Sequence, residues 1–252
     1  MSTAVLAGSA GLDRRIAALE SALRAIAVEH APAVFASSLG AEDMVLTDIV
    51  LRERLPIEIF TLDTGRLHPE TLGLLDRVRE RYGYAIRVYR PDQAAVDGYV
   101  REFGLNALYQ SVELRSRCCH IRKVEPLNRA LAGKKGWVTG MRRAQSVTRK
   151  DLPLEEFDSG YRLWKFNPLA EWSEREVWDY IRGLDVPYNP LHDQGFRSIG
   201  CAPCTRPTAA GEDLRAGRWW WEDLESKECG LHKHPSTEPS ADASPLEQRN
   251  RG

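Results

Sequence analysis

The stretch Ala33-Val34-Phe35-Ala36-Ser37-Ser38-Leu39-Gly40 is an apolar run that passes into a turn of small residues. Such a run is typical of a buried β-strand, and a helix is predicted to follow over about 41–55. In open α/β sheets, ligands bind outside the carboxyl ends of the strands. Helix N-terminal amides and small hydroxyls suit a phosphate or sulfate there, although this turn lacks the Gly-Lys-Ser/Thr of a Walker A loop.

Strands and helices alternate on both sides of this turn. Further strands are predicted at 57–62, 86–89 and 137–140, with a strand-like segment at 161–166. Helices are predicted at 12–29, 69–82, across most of 92–131, and at 174–182 behind a capping box that starts at Ser173. This alternation predicts an α/β fold with βαβ units on a parallel sheet. The turn Asp63-Thr64-Gly65 ends the second strand, so two turns are expected to line one crevice.

Composition limits the classes of function. The chain has 252 residues, 42% of them hydrophobic, which suffices for one sizeable core. Its 35 Lys and Arg nearly balance 36 Asp and Glu, and this net charge of -1 argues against a nucleic-acid coat or a membrane-surface protein. Neither a secretory signal nor an apolar run of membrane-spanning length is recognisable, so a cytoplasmic location with reduced cysteines is expected.

Three segments are predicted along the chain. Residues 1–30 form an N-terminal helical segment, and residues 31–233 form an α/β domain that ends in a C-terminal arm. Residues 234–252 are poor in apolar residues and rich in Ser, Pro, Glu and Ala. This composition predicts a disordered tail.

Basic residues cluster in two runs, at 115–123 and at 140–150, that contain no acid. Either run alone is most simply a solvated charged face. Because there are two, a small anionic substrate is an alternative interpretation. The members are Arg115, Arg117, Arg122 and Lys123 in the first run, and Arg142, Arg143, Arg149 and Lys150 in the second.

Five cysteines divide into two pairs and one residue left over. Cys201 and Cys204 form a CxxC turn, and Cys118 and Cys119 are adjacent. Four thiolates bind an iron–sulfur cluster or zinc, and unbound thiols are the third alternative. Zinc sites more often use two spaced CxxC pairs, so the adjacent pair favours a 4Fe–4S cluster. Cys118 and Cys119 are expected near the start of a helix, whose N-terminus would stabilise thiolate charge.

Cys229 is the cysteine left over. A lone cysteine is most often a buried small hydrophobe. Here it lies in Glu228-Cys229-Gly230-Leu231-His232, directly before the predicted tail, which is a poor place for a core residue. A nucleophilic thiolate on a mobile arm is therefore the better interpretation, with His232 near enough to stabilise its charge.

Two further features have packing as their simplest interpretation. The run Arg218-Trp219-Trp220-Trp221 is more typical of residues that cover apolar surface than of a base-stacking site. His68, His120 and His192 are expected to serve ordinary packing or turn roles.

Three motifs together resemble one family. They are Cys118-Cys119-His120-Ile121-Arg122-Lys123-Val124-Glu125-Pro126-Leu127, Cys201-Ala202-Pro203-Cys204-Thr205-Arg206-Pro207 and the C-terminal Glu228-Cys229-Gly230-Leu231-His232. They are similar to the motifs of assimilatory sulfonucleotide reductases, and most similar to those of the bacterial adenylylsulfate (APS) reductases. Residues 38–43, 62–71 and 140–149 support the resemblance, which runs from about residue 34 to 234.

The resemblance implies a Rossmann-like parallel sheet of the adenine-nucleotide alpha-hydrolase type with a flexible C-terminal arm. It also implies thioredoxin-dependent reduction of APS to sulfite and AMP, through an S-sulfocysteine on Cys229, with glutaredoxin as the alternative reductant. Cys118, Cys119, Cys201 and Cys204 would hold one 4Fe–4S cluster per chain. Relatives that use the 3′-phosphorylated substrate (PAPS) generally lack these four cysteines, so APS is favoured. No nucleic-acid or membrane partner is implied, and a homo-oligomer is left open.

Substrate contacts also carry over by resemblance. The implied contacts are Ser37, Leu62, Thr64, Gly140, Arg149, Arg215, Arg218 and His232, with Lys123 near both cluster and substrate. Leu62 and Gly140 would act through their backbone, and the arginines would hold phosphate and sulfate. Some members have a second serine where this chain has Leu39, which puts a hydroxyl contact at that position in doubt.

Three alternatives to an APS reductase differ in class. A PAPS reductase would prefer the other nucleotide. An ATP-pyrophosphatase-type sulfur transferase acting on RNA would hydrolyse ATP, but the chain lacks the SGGxDS loop of that class. A zinc-stapled binding module would contain zinc without iron and would be indifferent to the loss of Cys229.

Overall fold

The computed structural model describes residues 10–146 and 149–222, so Cys229, His232 and the predicted tail at 234–252 lie outside the described residues. The helices within these ranges are α1 (Ala10–Glu29), α2 (Ala41–Arg52), α3 (Pro69–Tyr82), α4 (Gln93–Phe103), α5 (Val112–Cys119), α6 (Glu125–Leu131) and α7 (Glu174–Gly183). The strands are β1 (Ala33–Ala36), β2 (Ile57–Leu62), β3 (Arg87–Tyr89), β4 (Gly136–Val138), β5 (Glu155–Asp158) and β6 (Leu163–Phe166). None of these helices combines the length with the apolar composition that a bilayer crossing requires.

The six strands form one sheet with the order β3-β2-β1-β4-β6-β5. All neighbours are parallel except β5 and β6. Phe35 of β1 pairs with Ile59 of β2 on one side and with Val138 of β4 on the other. The strand order reverses between β1 and β4, and ligands bind at such a switch point in open α/β sheets. The carboxyl ends of β1, β2 and β4 therefore meet at one edge.

The central strand is buried on both faces of the sheet. Phe35 packs in a core with side chains of α1, α2 and α7, including Leu23 and Met44. Val34, which points to the other face, packs in a second core with Leu127 of α6 and Trp137 of β4. Successive side chains of a strand face opposite ways, so a strand apolar at every position needs helices on both faces. The predicted α/β class is confirmed.

Most predicted elements are confirmed, and one strand was missed. Ser173 Oγ accepts the Glu176 backbone N–H at 3.2 Å, and the Glu176 carboxylate accepts the Ser173 backbone N–H at 2.7 Å, which is the predicted capping box of α7. β5 was not predicted because it is an edge strand with two glutamates, and such a strand lacks the apolar run of a central one. It pairs with β6, where Lys165 Nζ donates to Glu156 Oε1 at 2.9 Å.

Cys118 and Cys119 lie elsewhere on their helix than predicted. They are the last two residues of α5, and a π-helical turn, His120–Val124, connects α5 to α6. Proline is typical of a first helical turn because it has no amide hydrogen to donate. Here Pro126 lies in the first turn of α6, and the wider π turn before it keeps the chain helical from α5 into α6. The prediction that a helix N-terminus stabilises these thiolates is therefore wrong.

Candidate active site

A cavity of about 220 Å3 opens at the sheet edge where β1, β2 and β4 end. Its walls come from the turns after these strands, from the π-helical turn and from residues 197–219. The predicted substrate contacts that line it are Ser37, Leu62, Thr64, Lys123, Gly140, Arg149, Arg215 and Arg218. Their binding of substrate stays a prediction. A larger groove of about 1380 Å3 between α1 and α7 contains none of them.

The turn after β1 has a fixed shape. The Ser37 backbone N–H donates to the Phe60 carbonyl at 2.8 Å, and the Leu39 backbone N–H donates to Ser37 Oγ at 3.2 Å. Leu39 has a φ of 62° and a fully buried side chain. A bulky residue adopts this left-handed conformation only where its surroundings impose it. Leu39 therefore serves the core, and the turn presents Ser37 and Ser38 to the cavity instead.

Asp43, in the first turn of α2, holds Ser38. Asp43 Oδ2 accepts the Ser38 backbone N–H at 2.5 Å and the Ser38 hydroxyl at 2.6 Å. Burial raises the pKa of Asp43 to about 7, although the two hydrogen bonds from Ser38 and the charge of Arg149 oppose the rise. Asp43 therefore fixes the Ser38 hydroxyl at the wall of the cavity.

Gly140, directly after β4, lies against the same carboxyl group. A Cβ atom at Gly140 would be 2.0 Å from Asp43 Oδ1 and 3.3 Å from the Asp43 backbone nitrogen. No side chain fits in that space, so glycine is required for the turns after β1 and β4 to approach each other. This close approach gives Gly140 a packing role beside the backbone contact that the resemblance implies.

Burial separates the residues of the basic runs. Arg142 is 1% exposed and donates to Glu42 Oε1 through Nη2 at 2.6 Å and Nε at 2.9 Å. Arg122 is also buried and donates to the Thr64 carbonyl at 2.7 Å. These two arginines brace the turns after β4 and β2, so the solvated-face interpretation is wrong for them. Arg149 lines the cavity instead.

The turn after β2 joins this cavity to the CxxC turn. Thr64 Oγ1 lies 3.2 Å from Cys201 Sγ, and the Ala202 backbone N–H donates to the Arg66 carbonyl at 2.8 Å. Leu67 and Cys201 also form an isolated antiparallel bridge. Cys201 consequently lines both the 220 Å3 cavity and a second, smaller one.

The second cavity has a volume of about 10 Å3 and is where the four cysteines meet. All four are buried and free of disulfides. The remaining residues of its lining include four cations. The cysteines are Cys118, Cys119, Cys201 and Cys204, and the cations are Arg66, Arg115, Arg122 and Lys123. The fold thus brings together the two pairs that the sequence singled out.

The sulfur atoms of this cavity are poorly solvated. Burial raises the pKa of Cys118, and burial together with Cys201 raises the pKa of Cys204 to about 11. At neutral pH these two sulfurs stay protonated unless a metal displaces the protons. Within the described ranges, no three His, Cys, Asp or Glu side chains are arranged around the position of a single metal ion.

Sequence reasoning missed three residues of the site. Asp43 ends the segment 38–43 that supports the family resemblance, and its place in the first turn of a helix after an anion-binding turn is the local signal for it. His192 lines the larger cavity, burial lowers its pKa, and its buried Nε2 has no hydrogen-bond partner among the described residues. Trp219 lines both cavities. No local pattern marks His192 or Trp219, because their positions depend on distant parts of the chain.

The fold and the site define an α/β protein of the adenine-nucleotide alpha-hydrolase type. A phosphoadenylyl-sulfate (PAPS) reductase from Candida auris, solved with phosphate, has a TM-score of 0.62 and 25% identity over 79% of this chain and 97% of that one. An FMN adenylyltransferase from Candida glabrata has a TM-score of 0.54 and 16% identity over 89% of this chain and 78% of that one. The second likeness shows the fold alone.

Sequence comparison narrows this class. The phosphoadenosine phosphosulfate reductase domain matches residues 32–207. An adenosine 5′-phosphosulfate reductase from Burkholderia cepacia is 60% identical over 221 residues, 88% of each chain, and one from Allochromatium vinosum is 56% identical over 240 residues, 95% of this chain and 94% of that one. The chain belongs to the phosphoadenosine phosphosulfate reductase family of oxidoreductases. The family resemblance and the fold class are confirmed.

Proposed function

We propose that this protein is a cytoplasmic adenylylsulfate (APS) reductase that forms sulfite and AMP in assimilatory sulfate reduction. The observation that carries the proposal is that the 220 Å3 cavity and the four-cysteine cavity share a wall, with Cys201, Lys123 and Trp219 lining both. The relatives at 60% and 56% identity bear the name of this activity.

Cys229 supplies the nucleophile in this proposal. Its thiolate attacks the sulfur of APS, an S–S bond forms, and the bond from that sulfur to the phosphate oxygen breaks, so AMP leaves with the electron pair. The enzyme then carries an S-sulfocysteine. A thiolate of reduced thioredoxin, or of a glutaredoxin, attacks the Cys229 sulfur and releases sulfite. The second thiol of the reductant resolves the mixed disulfide, so the dithiol supplies both electrons.

The cavity residues bind and orient the anionic substrate. Arg149, Arg215 and Arg218 supply the cations that hold the phosphate and sulfate groups. The hydroxyls of Ser37 and Thr64 and the first amides of α2 add hydrogen-bond donors at the strand ends. The other contacts in this proposal are Lys123, the backbone of Leu62 and Gly140, and His232.

Cys118, Cys119, Cys201 and Cys204 hold one 4Fe–4S cluster in this proposal. Four thiols without a carboxylate or imidazole match the usual ligand set of such a cluster, in which each iron takes one thiolate. The cations around the cavity offset thiolate charge. When bound, the cluster supplies a structural centre and a local charge beside the substrate, while the electrons arrive from thiols.

A PAPS reductase is the second candidate. The matching family domain and the Candida auris structure both carry that name. The two substrates share the sulfated phosphate and differ in the 3′-phosphate, so the same thiolate chemistry would serve either. The presence of all four cysteines favours APS, and a parallel assay with both nucleotides decides between them.

The test is intact-protein mass spectrometry of anaerobically purified enzyme after incubation with APS or PAPS in the absence of thiols. We expect one sulfo adduct with APS, mapped to Cys229 and absent from Cys229→Ser. An adduct with PAPS alone would keep the mechanism and change the substrate. No adduct from either nucleotide, on protein that contains iron and sulfide, would refute the reductase proposal.

A further inference from the structure

We propose that Trp219 is a positioning residue that fixes the guanidinium of Arg218 in the substrate cavity and ties that position to the four-cysteine site. This inference rests on the proposed function, because it assigns Arg218 to an anionic substrate. The sequence around Trp219 indicates only a residue that packs over apolar surface.

Trp219 is held rigidly at the wall between the two cavities. Its side chain is 1% exposed and lines both of them. Its backbone has a φ of 41°, and its N–H donates to the Cys204 carbonyl at 3.2 Å. A left-handed conformation is a genuine outlier for so bulky a residue, and such strain persists only where the surrounding structure imposes it. The hydrogen bond to Cys204 and the antiparallel bridge between Thr205 and Arg218 hold this backbone against the CxxC turn.

Arg218 depends on this ring for its position. Its Cζ lies over the Trp219 ring, 4.6 Å from the centroid. Its side-chain hydrogen bonds are long, since Nη1 lies 3.3 Å from the Ile199 carbonyl and 3.5 Å from Ser198 Oγ. Nε is buried and has no hydrogen-bond partner among the described residues. Arg218 thus reaches the substrate cavity with unused donors and with an aromatic face as its main support.

Gly200 provides a second contact for the Arg218 guanidinium. A Cβ atom at Gly200 would be 2.6 Å from Arg218 Nη2 and 2.7 Å from Arg218 Cζ. The guanidinium therefore lies against the backbone directly before Cys201 as well as over the Trp219 ring. Removing either surface changes where the guanidinium lies.

The same ring supports a cation of the cysteine site. The Cζ of Arg115 lies over the Trp219 ring at 4.8 Å from the centroid, and Arg115 lines the small cavity together with Cys119. A movement of the four-cysteine site therefore reaches Arg218 through one aromatic side chain. Trp219 therefore couples the geometry of the four-cysteine cavity to the position of Arg218 in the substrate cavity.

The experiment measures APS binding by calorimetry in a Cys229→Ser background, where no adduct forms. Trp219→Leu removes the aromatic face, and we expect roughly 10- to 30-fold weaker binding, the loss of one desolvated cation–π contact. Trp219→Phe keeps a face and is expected to stay within about 5-fold of the parent. Trp220→Leu, which changes the exposed neighbour in the same run, is the matched control and is expected to bind like the parent.

A double-mutant cycle separates positioning from general damage. Arg218→Met alone weakens binding, and adding Trp219→Leu to it should cost nothing further, because the tryptophan acts through the arginine. Additive losses, or unchanged affinity in Trp219→Leu, would overturn the inference. Iron content and visible absorbance are read on every variant, and Trp219→Phe provides the comparison if Trp219→Leu does not fold. If the Cys229→Ser parent itself does not bind APS, the proposed function fails, and with it the inference.

Discussion

Arg115 and Glu222 form a bidentate ion pair in the interior, with Nε to Oε1 at 2.7 Å and Nη2 to Oε2 at 2.9 Å. The side chains are 2% and 4% exposed. Arg115 lies on α5, one turn before Cys119, and Glu222 lies seven residues before Cys229. The pair therefore fastens the start of the C-terminal arm to the helix that carries two of the cysteines.

Glu222→Gln should destabilise the fold strongly. The substitution leaves the buried Arg115 charge without its carboxylate, and breaking one half of a buried pair costs about 3–5 kcal/mol. Urea unfolding measures this loss. The control is Glu102→Gln, which breaks an exposed ion pair with Arg117, a residue of the same helix as Arg115. This substitution should change the free energy of unfolding by less than about 1 kcal/mol. Equal effects of the two substitutions would contradict a special role for the buried pair.

Asp43 predicts a pH dependence of stability with a definite sign. Its pKa rises from 3.8 in the unfolded chain to about 7 in the fold, so between these values the native state retains a proton that the unfolded state has lost. The free energy of unfolding from this group therefore falls as pH rises from about 4 to about 7 and is level above that. Asparagine does not titrate, so Asp43→Asn avoids this loss. As pH rises across that window, the free energy of unfolding of the variant should gain on the order of 2–4 kcal/mol relative to that of wild type.

Urea unfolding of wild type and Asp43→Asn is measured at about pH 4.5, which lies inside this window, and at about pH 8, which lies above it. The change in the stability difference between the two proteins tests the prediction. Asp76→Asn, an exposed carboxylate on α3, controls for the loss of one negative charge. Stability curves of wild type and Asp43→Asn that stay parallel across this range would show that Asp43 titrates normally.

Gly140→Ala and Gly73→Ala should change stability in opposite directions. At Gly140 the added methyl group overlaps the Asp43 carboxyl, and such overpacking costs about 1–3 kcal/mol. It should also weaken APS binding, since the turns after β1 and β4 must separate. Gly73 lies in α3 with nothing within 4 Å of an added Cβ, so alanine there should stabilise the helix by about 0.5–1 kcal/mol. Thermal unfolding reports both signs.

The four-cysteine site predicts which substitutions remove iron. Serine at any one of Cys118, Cys119, Cys201 or Cys204 should lower iron and sulfide content and visible absorbance, because each thiolate binds one iron in the proposed cluster. Cys229→Ser should leave these values unchanged while abolishing sulfite formation. Wild-type protein that binds zinc without iron would refute the cluster.

The sequence predicted the frame of the site because its signals are local. Apolar runs located β1, β2 and β4, and the rule that ligands bind at the carboxyl ends of parallel strands located the crevice. The pairs Cys118-Cys119 and Cys201/Cys204 were recognisable from their spacing alone. The helix position of Cys118 was not predicted correctly, because the π turn that joins α5 to α6 depends on the packing around it.

By itself, the sequence determined the α/β class, the family and the residues able to carry thiolate chemistry, because strand periodicity, helix caps and cysteine spacing act over a few residues. The tertiary structure alone decided which arginines brace turns and which line the cavity, since burial depends on contacts between distant segments. It also decided that Asp43 meets both Ser38 and Gly140, and that Trp219 lies under two guanidinium groups. Those contacts join residues that only the sheet and the CxxC turn bring together.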